Sequence, residues 1–497
     1  MKRLIQVLKI YPLVFLIVFA SCTDLLDQDP YGEIDNEKAI ETINDAQTAL
    51  IGIYGELMRD YWGRNAILFG DIMTDNCFPA RSYNDHAEFQ RYIYSSSSSE
   101  IGSIWLTLYS NVNKANNIIN VIDGLSGSNS KKNDIKGQAL ALRAYAYMEL
   151  SKWFSPAYSI NKEGLGVPIV LQKSNDAKPL RASLEETYTQ IESDLLAADG
   201  LLVQKTEVTE ESVKYMTLWA VKSLLARFYL YKGEYQKAVD YATEVISSNR
   251  FSIYGNINDL ANMLRNDKGS EIIFQIGYTT SDYGNPLSGF YYDVKLSSTP
   301  RVQYVPAMRL TNLYKQFGAA NSSKFGTEDI RFRNGGFFIT KTTTENWESM
   351  ICYKYPGNPA LLEGLNMPKI IRLPELYLIR AEAYSYLDKD TEALADYNAL
   401  RKKRIENYVN ETGLKGSKLK DEIYNERMRE LCFEGFYWFD LKRAGKGFEK
   451  SPTDEELEYI DISGANIKLE ANSYRWLWPI PSVELNGNQN IQKNPGY

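Results

Sequence analysis

The sequence predicts an all-α protein, a helical-repeat superhelix interrupted by a large irregular loop region and a few short strands. Three observations carry that reading: apolar residues recur every three to four positions over most of the chain, two segments match one another at the same offsets, and both patterns stop near the middle. Size and composition agree with it. The 497 residues are 44% hydrophobic and 24% charged, enough for a sizeable core and too mixed for disordered or collagen-like sequence.

The helices follow in order. From Glu37 to Asp60 the stripe is Ile43, Ala46, Leu50, Ile53 and Leu57, one face of an amphipathic helix. Ile104, Leu108, Val112, Ala115, Ile119 and Ile122 form the second, expected to end at Asp123-Gly124, where glycine can take the left-handed C-cap. A third runs from Ile135 to Phe154. The fourth starts at Ser183 with Glu186 at the capping-box spacing, and its stripe is Leu184, Tyr188, Ile191, Leu195 and Ala198. The run Ser95 to Ser99 reads as a linker or loop tip.

Two later segments repeat one another. Leu225-Ala226, Tyr229, Gly233, Tyr235, Ala238, Ala242 and Val245 fall at the small, aromatic and turn positions of a tetratricopeptide unit, and Ala381, Tyr384, Asp388, Ala393, Tyr397 and Leu400 occupy matching offsets. Ala144 and Tyr147 stand in the same relation. Alanine lets two antiparallel helices approach closely and tyrosine fills the groove between neighbouring pairs. One pair cannot bury its own apolar face, so several are expected to stack into a right-handed superhelical wall. Asp388-Lys-Asp390-Thr-Glu392 begins like a calcium loop but lacks its glycine and twelfth-position glutamate, and reads as the turn between two repeat helices.

Between about Phe251 and Pro374 the helical pattern gives way to Gly, Ser, Asn and Pro with scattered aromatics. Glu271-Ile-Ile-Phe-Gln-Ile276 and Phe337-Phe-Ile339 read as short strands. A region of this length without helices is expected to consist of built loops that carry function.

Composition narrows the function. There are 36 tyrosines against 19 phenylalanines and 8 tryptophans, and tyrosine suits wet binding surfaces as well as cores. A single histidine, His86, leaves no pair for metal ligation and one position for the usual general base, which disfavours most hydrolase and oxidoreductase mechanisms. The net charge of −7, with only Lys402-Lys403-Arg404 as a basic cluster, excludes the footprint of a nucleic-acid binder.

At the N-terminus, basic Met1-Lys2-Arg3 and apolar Ile10 to Ala20 precede Ser21-Cys22. The apolar run is too short for the roughly 20 residues of a membrane span and reads as a secretory signal. Ala20-Ser21-Cys22, with Phe19 where Leu is usual, resembles a lipobox, which makes Cys22 the lipidation site. Residues 1–21 are then a signal peptide and 22–36 an acidic tether, followed by an N-terminal helical region, 37–250, and a C-terminal region, 251–497, in one compact body. Cys77, Cys352 and Cys432 remain, without CxxC spacing, as buried small hydrophobes.

Two loops are candidates for ligand contact. Ala80-Arg-Ser-Tyr-Asn-Asp-His-Ala87 offers Arg81, Tyr83, Asn84 and Asp85, hydrogen-bonding types suited to sugar hydroxyls, with Tyr83 able to stack on a pyranose and His86 expected at the surface. The second holds Tyr278, Tyr283, Phe290, Tyr291, Tyr292 and Tyr304, with Trp347 later. Outside any helical period, such rings can lie flat against the C–H groups of a sugar. Tyr474, Trp476 and Trp478 are expected in the core. Glu426, Glu430 and Glu434 lie on one helical face, but Arg427 and Arg429 between them point to helical ion pairing rather than a catalytic carboxylate pair. No catalytic residue, cofactor or metal site is expected.

Several motifs, in order, resemble the SusD-like (RagB/SusD) nutrient-binding outer-membrane lipoproteins of Bacteroidetes along nearly the whole mature chain. They are Gly137-Gln-Ala-Leu-Ala-Leu-Arg-Ala-Tyr-Ala-Tyr147, Gly166-Val-Pro-Ile-Val170, Ala220 to Ile246, Ile371 to Tyr384, Asn425-Glu-Arg-Met-Arg-Glu-Leu-Cys-Phe-Glu-Gly435 with Phe439-Asp-Leu-Lys-Arg443, Leu477-Trp-Pro-Ile-Pro481 and Asn494-Pro-Gly-Tyr497. The resemblance implies a surface-exposed, lipid-anchored outer-membrane protein that binds oligosaccharide and caps a TonB-dependent SusC-like transporter, with repeat helices toward the transporter and ligand on the irregular side. Alternatives are the same architecture binding peptide or another non-sugar nutrient, or a helical-repeat protein-protein adaptor.

Overall fold

Several helices begin where the sequence supplies a capping side chain. The computed structural model describes residues 40–62, 65–81, 85–172, 178–292, 302–315, 329–342, 348–463 and 468–497. The leader, Cys22 and the tether lie outside the described residues. Thr42 and Asp45 form a capping box for α1 (Ile43–Glu56), which buries Ile43, Ala46, Leu50 and Ile53 and is followed by a π-helical turn, Leu57–Trp62. Then come α2 (Asn65–Ile72), α3 (Ser99–Val121, with Ser98 as N-cap residue) and α4 (Asn129–Phe154, capped by Ser128). Ser183 and Glu186 make the expected capping box at α5 (Leu184–Leu201). Gly124 is not the left-handed cap the sequence suggested. It sits in a 3₁₀ turn, Ile122–Gly124, whose closing bond is Leu125 N–H to Ile122 O, and the left-handed glycine is Gly127 at φ +133°.

The repeats form helical hairpins that stack. α4 packs on α5, and α5 on α6 (Leu218–Lys232). A tight turn at Gly233, φ +82°, leads from α6 to α7 (Tyr235–Ser247). α7 packs on α10 (Leu373–Tyr386), the first helix of the pair completed by α11 (Asp390–Arg404), and α10 also meets α12 (Gly416–Leu431). Ala144, Ala226, Ala238, Ala242, Ala381 and Ala393 are all fully buried, as close helix approach requires. Tyr235 stacks on Tyr386 at 4.5 Å between the two matched units. Asp388, at φ +57°, makes the turn between α10 and α11.

Although more than a hundred residues separate them in sequence, α7 and α10 are neighbours, so the irregular region is an excursion that leaves and returns at one place. α8 (Ile257–Asn266) precedes β2 (Ile272–Gln275), which pairs antiparallel with β6 (Lys369–Arg372), so the outgoing and returning chains close their own stem. Inside the excursion lie β3 (Tyr304–Pro306), α9 (Met308–Lys315) and the hairpin β4 (Phe338–Thr342)–β5 (Glu348–Cys352). β1 (Cys77–Pro79), from the N-terminal half, pairs with β3. Cys77, Cys352 and Cys432 are free thiols in the core.

A buried charge network locks this stem to α11 and α12. Glu430 meets Arg331 at 3.0 Å, Arg372 at 2.9 Å and Arg404 at 2.8 Å, and Glu271 meets Arg372 at 3.0 Å and Arg404 at 2.8 Å. Glu434 bonds Arg372 and Lys354, each at 2.6 Å, while Glu426 bonds Arg331 at 2.7 Å and Arg429 at 2.8 Å. Pairing of these glutamates is therefore as expected, but most of it is not within the helix. Burial alone would raise Glu426, yet Arg331, Arg429 and Arg401 outweigh it and hold its pKa at about 2.

After α12 the chain reverses through Phe433, φ +59°, and Gly435, φ +81°, and α13 (Tyr437–Arg443) follows. The buried Asp71 carboxylate accepts both amides, Phe433 N–H at 3.0 Å and Gly435 N–H at 2.8 Å. A Cβ on Gly70 would come within 2.4 Å of the Gly435 carbonyl oxygen, so glycine is required where α2 crosses the turn. Burial pushes Asp71 up to about 7 against those two bonds. At the C-terminus Trp478 stacks on Trp153 at 4.1 Å, and Asn494 donates to the carbonyls of Phe154 and Trp478. Trp476 is also core, but Tyr474 is 40% exposed, because it lies on the outer side of a 3₁₀ turn (Tyr474–Trp476) that points Trp476 inward.

The pH profile follows from these shifts. Glu426, depressed from 4.5, contributes stability that is present above pH 4.5 and lost as the pH falls through about 2. Asp71, raised from 3.8, acts oppositely, its contribution fading as the pH rises toward 7. Thermal unfolding scanned from pH 7 to 2 is expected to show Tm falling steeply below about 4.5. Glu426→Gln is expected to flatten that fall and to cost about 3–5 kcal/mol at neutral pH, since it leaves buried arginines underpaired. A Tm independent of pH down to 2.5 would contradict the network's role.

Candidate ligand-binding face

The candidate loops are rooted together. β1 pairs with β3 in the register Cys77↔Pro306 and Pro79↔Tyr304. Just beyond it Ala80 bridges Ile460, Arg81 N–H donates to the Tyr459 carbonyl at 3.0 Å, and Asp461 N–H donates to the Pro79 carbonyl at 3.1 Å. Phe78, Val302, Val305, Ile339, Ile351 and Ile460 form a small apolar cluster separate from the main core, with Tyr292 and Tyr353 packed against it. The bases of four segments, at 78–81, 292–305, 339–351 and 459–462, thus share one anchor. Strand alternation explains which side chains reach it: Ile339 and Ile351 are direct partners in the β4–β5 ladder and project to the same face.

On this base the structure distributes the predicted residues unevenly. Arg81 is exposed and its guanidinium donates to the Leu457 carbonyl, which aims it along the 457–463 segment. Asp85 is exposed. Tyr292 is half-buried, edge-on to Tyr353 with centroids 5.4 Å apart. Tyr283 is 40% exposed but is not part of this cluster; its neighbour Asp282 pairs with Arg59 at 3.3 Å, tying that stretch to the π-helical turn after α1. Tyr83, Asn84 and Trp347 lie outside the described residues.

Other expectations are corrected. Tyr291 is fully buried, its ring against Phe433 at 5.1 Å and Tyr355 at 6.1 Å, so no face is left for a ligand. Tyr278, Phe290 and Tyr304 are buried as well. His86 is not a surface residue: it is 5% exposed, its ring meets Phe69 at 5.4 Å and Phe290 at 5.5 Å, and Nδ1 lies 3.2 Å from the Tyr304 hydroxyl. It pins the end of its loop to the core. The sequence reading missed Tyr353 and Arg59. Tyr353 was findable, since it follows β5 at the alternate position to Ile351.

What remains exposed is a guanidinium, a carboxylate and aromatic rings, a set that hydrogen-bonds hydroxyls and covers flat apolar faces. Glu426, Glu430 and Glu434 are buried and committed to arginines inside the protein. Among the described residues no group of three or more His, Cys, Asp or Glu side chains has the arrangement to hold a metal ion.

Comparison with known proteins agrees with the architecture. The model of the SusD family matches residues 196–497, and one described as starch-binding, associating with the outer membrane, matches residues 24–230. SusD-like protein P38 of Formosa agariphila is 25% identical over 98% of this chain and 97% of its own. The starch-binding protein SusD of Bacteroides thetaiotaomicron is 23% identical over 86% of this chain and 84% of its own. A crystal structure of a SusD superfamily protein from Bacteroides thetaiotaomicron superposes with TM-score 0.77 at 28% identity, covering 91% of this chain and all of the other.

The Tyr291 hydroxyl is buried without a hydrogen-bond partner, so its desolvation is uncompensated. Tyr291→Phe is expected to leave Tm unchanged or raise it by a degree or two in differential scanning fluorimetry. A clear loss of stability would show that the hydroxyl is satisfied and the packing described here is wrong.

Proposed function

The chain belongs to the SusD family, and on that premise we propose that it is a non-catalytic, cell-surface glycan-binding lipoprotein that captures oligosaccharide and passes it to a TonB-dependent SusC-like outer-membrane transporter. Membership supports the glycan-binding role and an association with the outer membrane. The observation that carries the reading is the common anchor of the loops: Arg81, Asp85 and Tyr292 are presented from segments fixed to one apolar cluster, with Tyr83, Asn84 and Trp347 placed by sequence in the same loops. A ligand that meets residues on such an anchored base binds without first ordering that base, which lowers the entropy of capture. Arg81 and Asp85 supply a donor and an acceptor for hydroxyls, and Tyr292, with Tyr283, supplies rings.

Anchoring would run through Cys22 at the head of the acidic tether 22–36, long enough to let the body stand off the membrane. The stacked repeats α4–α7 and α10–α11 would serve as the wall toward the transporter. Neither role requires a chemical step, and the carboxylates that could have suggested one are consumed in the buried network.

A glycan array followed by isothermal titration tests the rim. For the glycan that binds, Tyr83→Ala, Tyr283→Ala and Tyr292→Ala are each expected to weaken affinity by about tenfold, the worth of one stacked ring, with Tm little changed in Tyr283→Ala. Unchanged affinity in all three variants would refute the loop site, and binding of peptides but no glycan would move the reading to another nutrient.

A further inference from the structure

Tyr304 meets the loop that carries Arg81 and Asp85 at both of its ends. Ahead of the loop, its main chain pairs with Pro79 in the β1–β3 ladder. Behind the loop, its hydroxyl accepts the His86 backbone N–H and lies 3.2 Å from His86 Nδ1. Residues 80–85 therefore leave and return against a single residue.

Strand alternation puts the tyrosine there. Val305 enters the small apolar cluster beneath the loops, so its neighbour Tyr304 faces the other way, toward His86. Tyr304 is fully buried and offers no face to a ligand, whereas Arg81 and Asp85 are exposed. Burial, with Cys77 and Asp85 close by, pushes the hydroxyl's pKa up, so it keeps its proton, accepting from the amide while that proton remains available to Nδ1. The imidazole is fixed in turn, with Phe69 of α2 at 5.4 Å and Phe290 at 5.5 Å. Arg81, at the other end, is held by a different element, through its N–H to the Tyr459 carbonyl at 3.0 Å.

We propose that Tyr304 is a positioning residue of the binding loop: it touches no ligand, yet its hydroxyl fixes the far end of the loop and with it the place of Asp85 relative to Arg81. This role rests on the reading of the loop as a ligand-binding segment. Without the hydroxyl, a ligand has to order the end of the loop as it binds, and affinity falls by that cost.

Tyr304→Phe, which keeps the ring and removes the hydroxyl, tests the role in two assays on the purified chain. Without ligand, limited trypsin digestion followed by mass spectrometry compares cleavage after Arg81 with cleavage after Arg250, which is exposed beyond α7. The rate after Arg81 is expected to rise about fivefold, the scale of one net hydrogen bond, and the rate after Arg250 to stay as it is. Isothermal titration with the glycan that binds most tightly on the array is expected to show affinity about fivefold weaker. Cleavage after Arg81 no faster than in the wild type would overturn the proposal whatever the ligand is. Faster cleavage with undiminished affinity would overturn it too, where Arg81→Ala/Asp85→Asn does weaken binding. If that double variant binds as tightly as the wild type, or no arrayed glycan binds, the loop reading falls and the positioning role falls with it. Should cleavage after Arg250 also rise, showing a general loosening, His86→Leu takes the place of Tyr304→Phe; it leaves Tyr304 intact and fills the space beside Phe69 and Phe290, and the same outcomes decide.

Discussion

The buried arginine–glutamate network is the constraint on which the rest of the structure depends. Glu430 alone contacts Arg331, Arg372 and Arg404, drawn from three segments far apart in sequence, and Glu271 and Arg372 flank the point where the irregular excursion leaves and re-enters the repeat stack. Ion pairs taken out of water gain little net stability, because desolvation offsets most of the attraction. Their geometry is the larger effect. Planar guanidinium forks accept only a narrow range of carboxylate positions, so this network fixes where four segments cross when their own secondary structure is too short to do so.

From that clamp the candidate face follows. β2 and β6 are each four residues long and irregularly paired, insufficient to hold a loop region of more than a hundred residues by themselves. With the stem locked to α11 and α12, the excursion can carry β3 to β1 and the β4–β5 hairpin to the same small apolar cluster. The bases of these loops then share one fixed anchor, and function is commonly carried on loops that a rigid scaffold positions. Tyrosine serves both levels: Tyr147, Tyr229 and Tyr397 pack between repeat helices, whereas Tyr283 and Tyr292 keep ring surface available.

The helical repeats were legible because their period is local: a stripe at three and four, an alanine at each close approach, Ser183 with Glu186 at a helix start. The excursion was not, for a physical reason. Without a period, nothing in the residues around Tyr291 says which way its ring points, and it faces Phe433, more than a hundred residues later in sequence. His86 sits among polar neighbours, but its contacts are Phe69, Phe290 and Tyr304, again from elsewhere. Glu426, Glu430 and Glu434 have spacings that suggest pairing along the helix, and Glu426 does pair with Arg429, yet their other partners come from the excursion and from α11. Local spacing reports charge pairing but not burial, and burial is what turns these residues from a surface feature into the clamp.

Native-state hydrogen exchange on an Arg372→Gln variant tests this account most directly. If the network holds the excursion, protection should fall in β2, β6 and the β4–β5 hairpin while α3, α4 and α5 retain theirs. Protection unchanged in the excursion, or lost evenly across the whole chain, would show that the network does not govern the geometry of the candidate face.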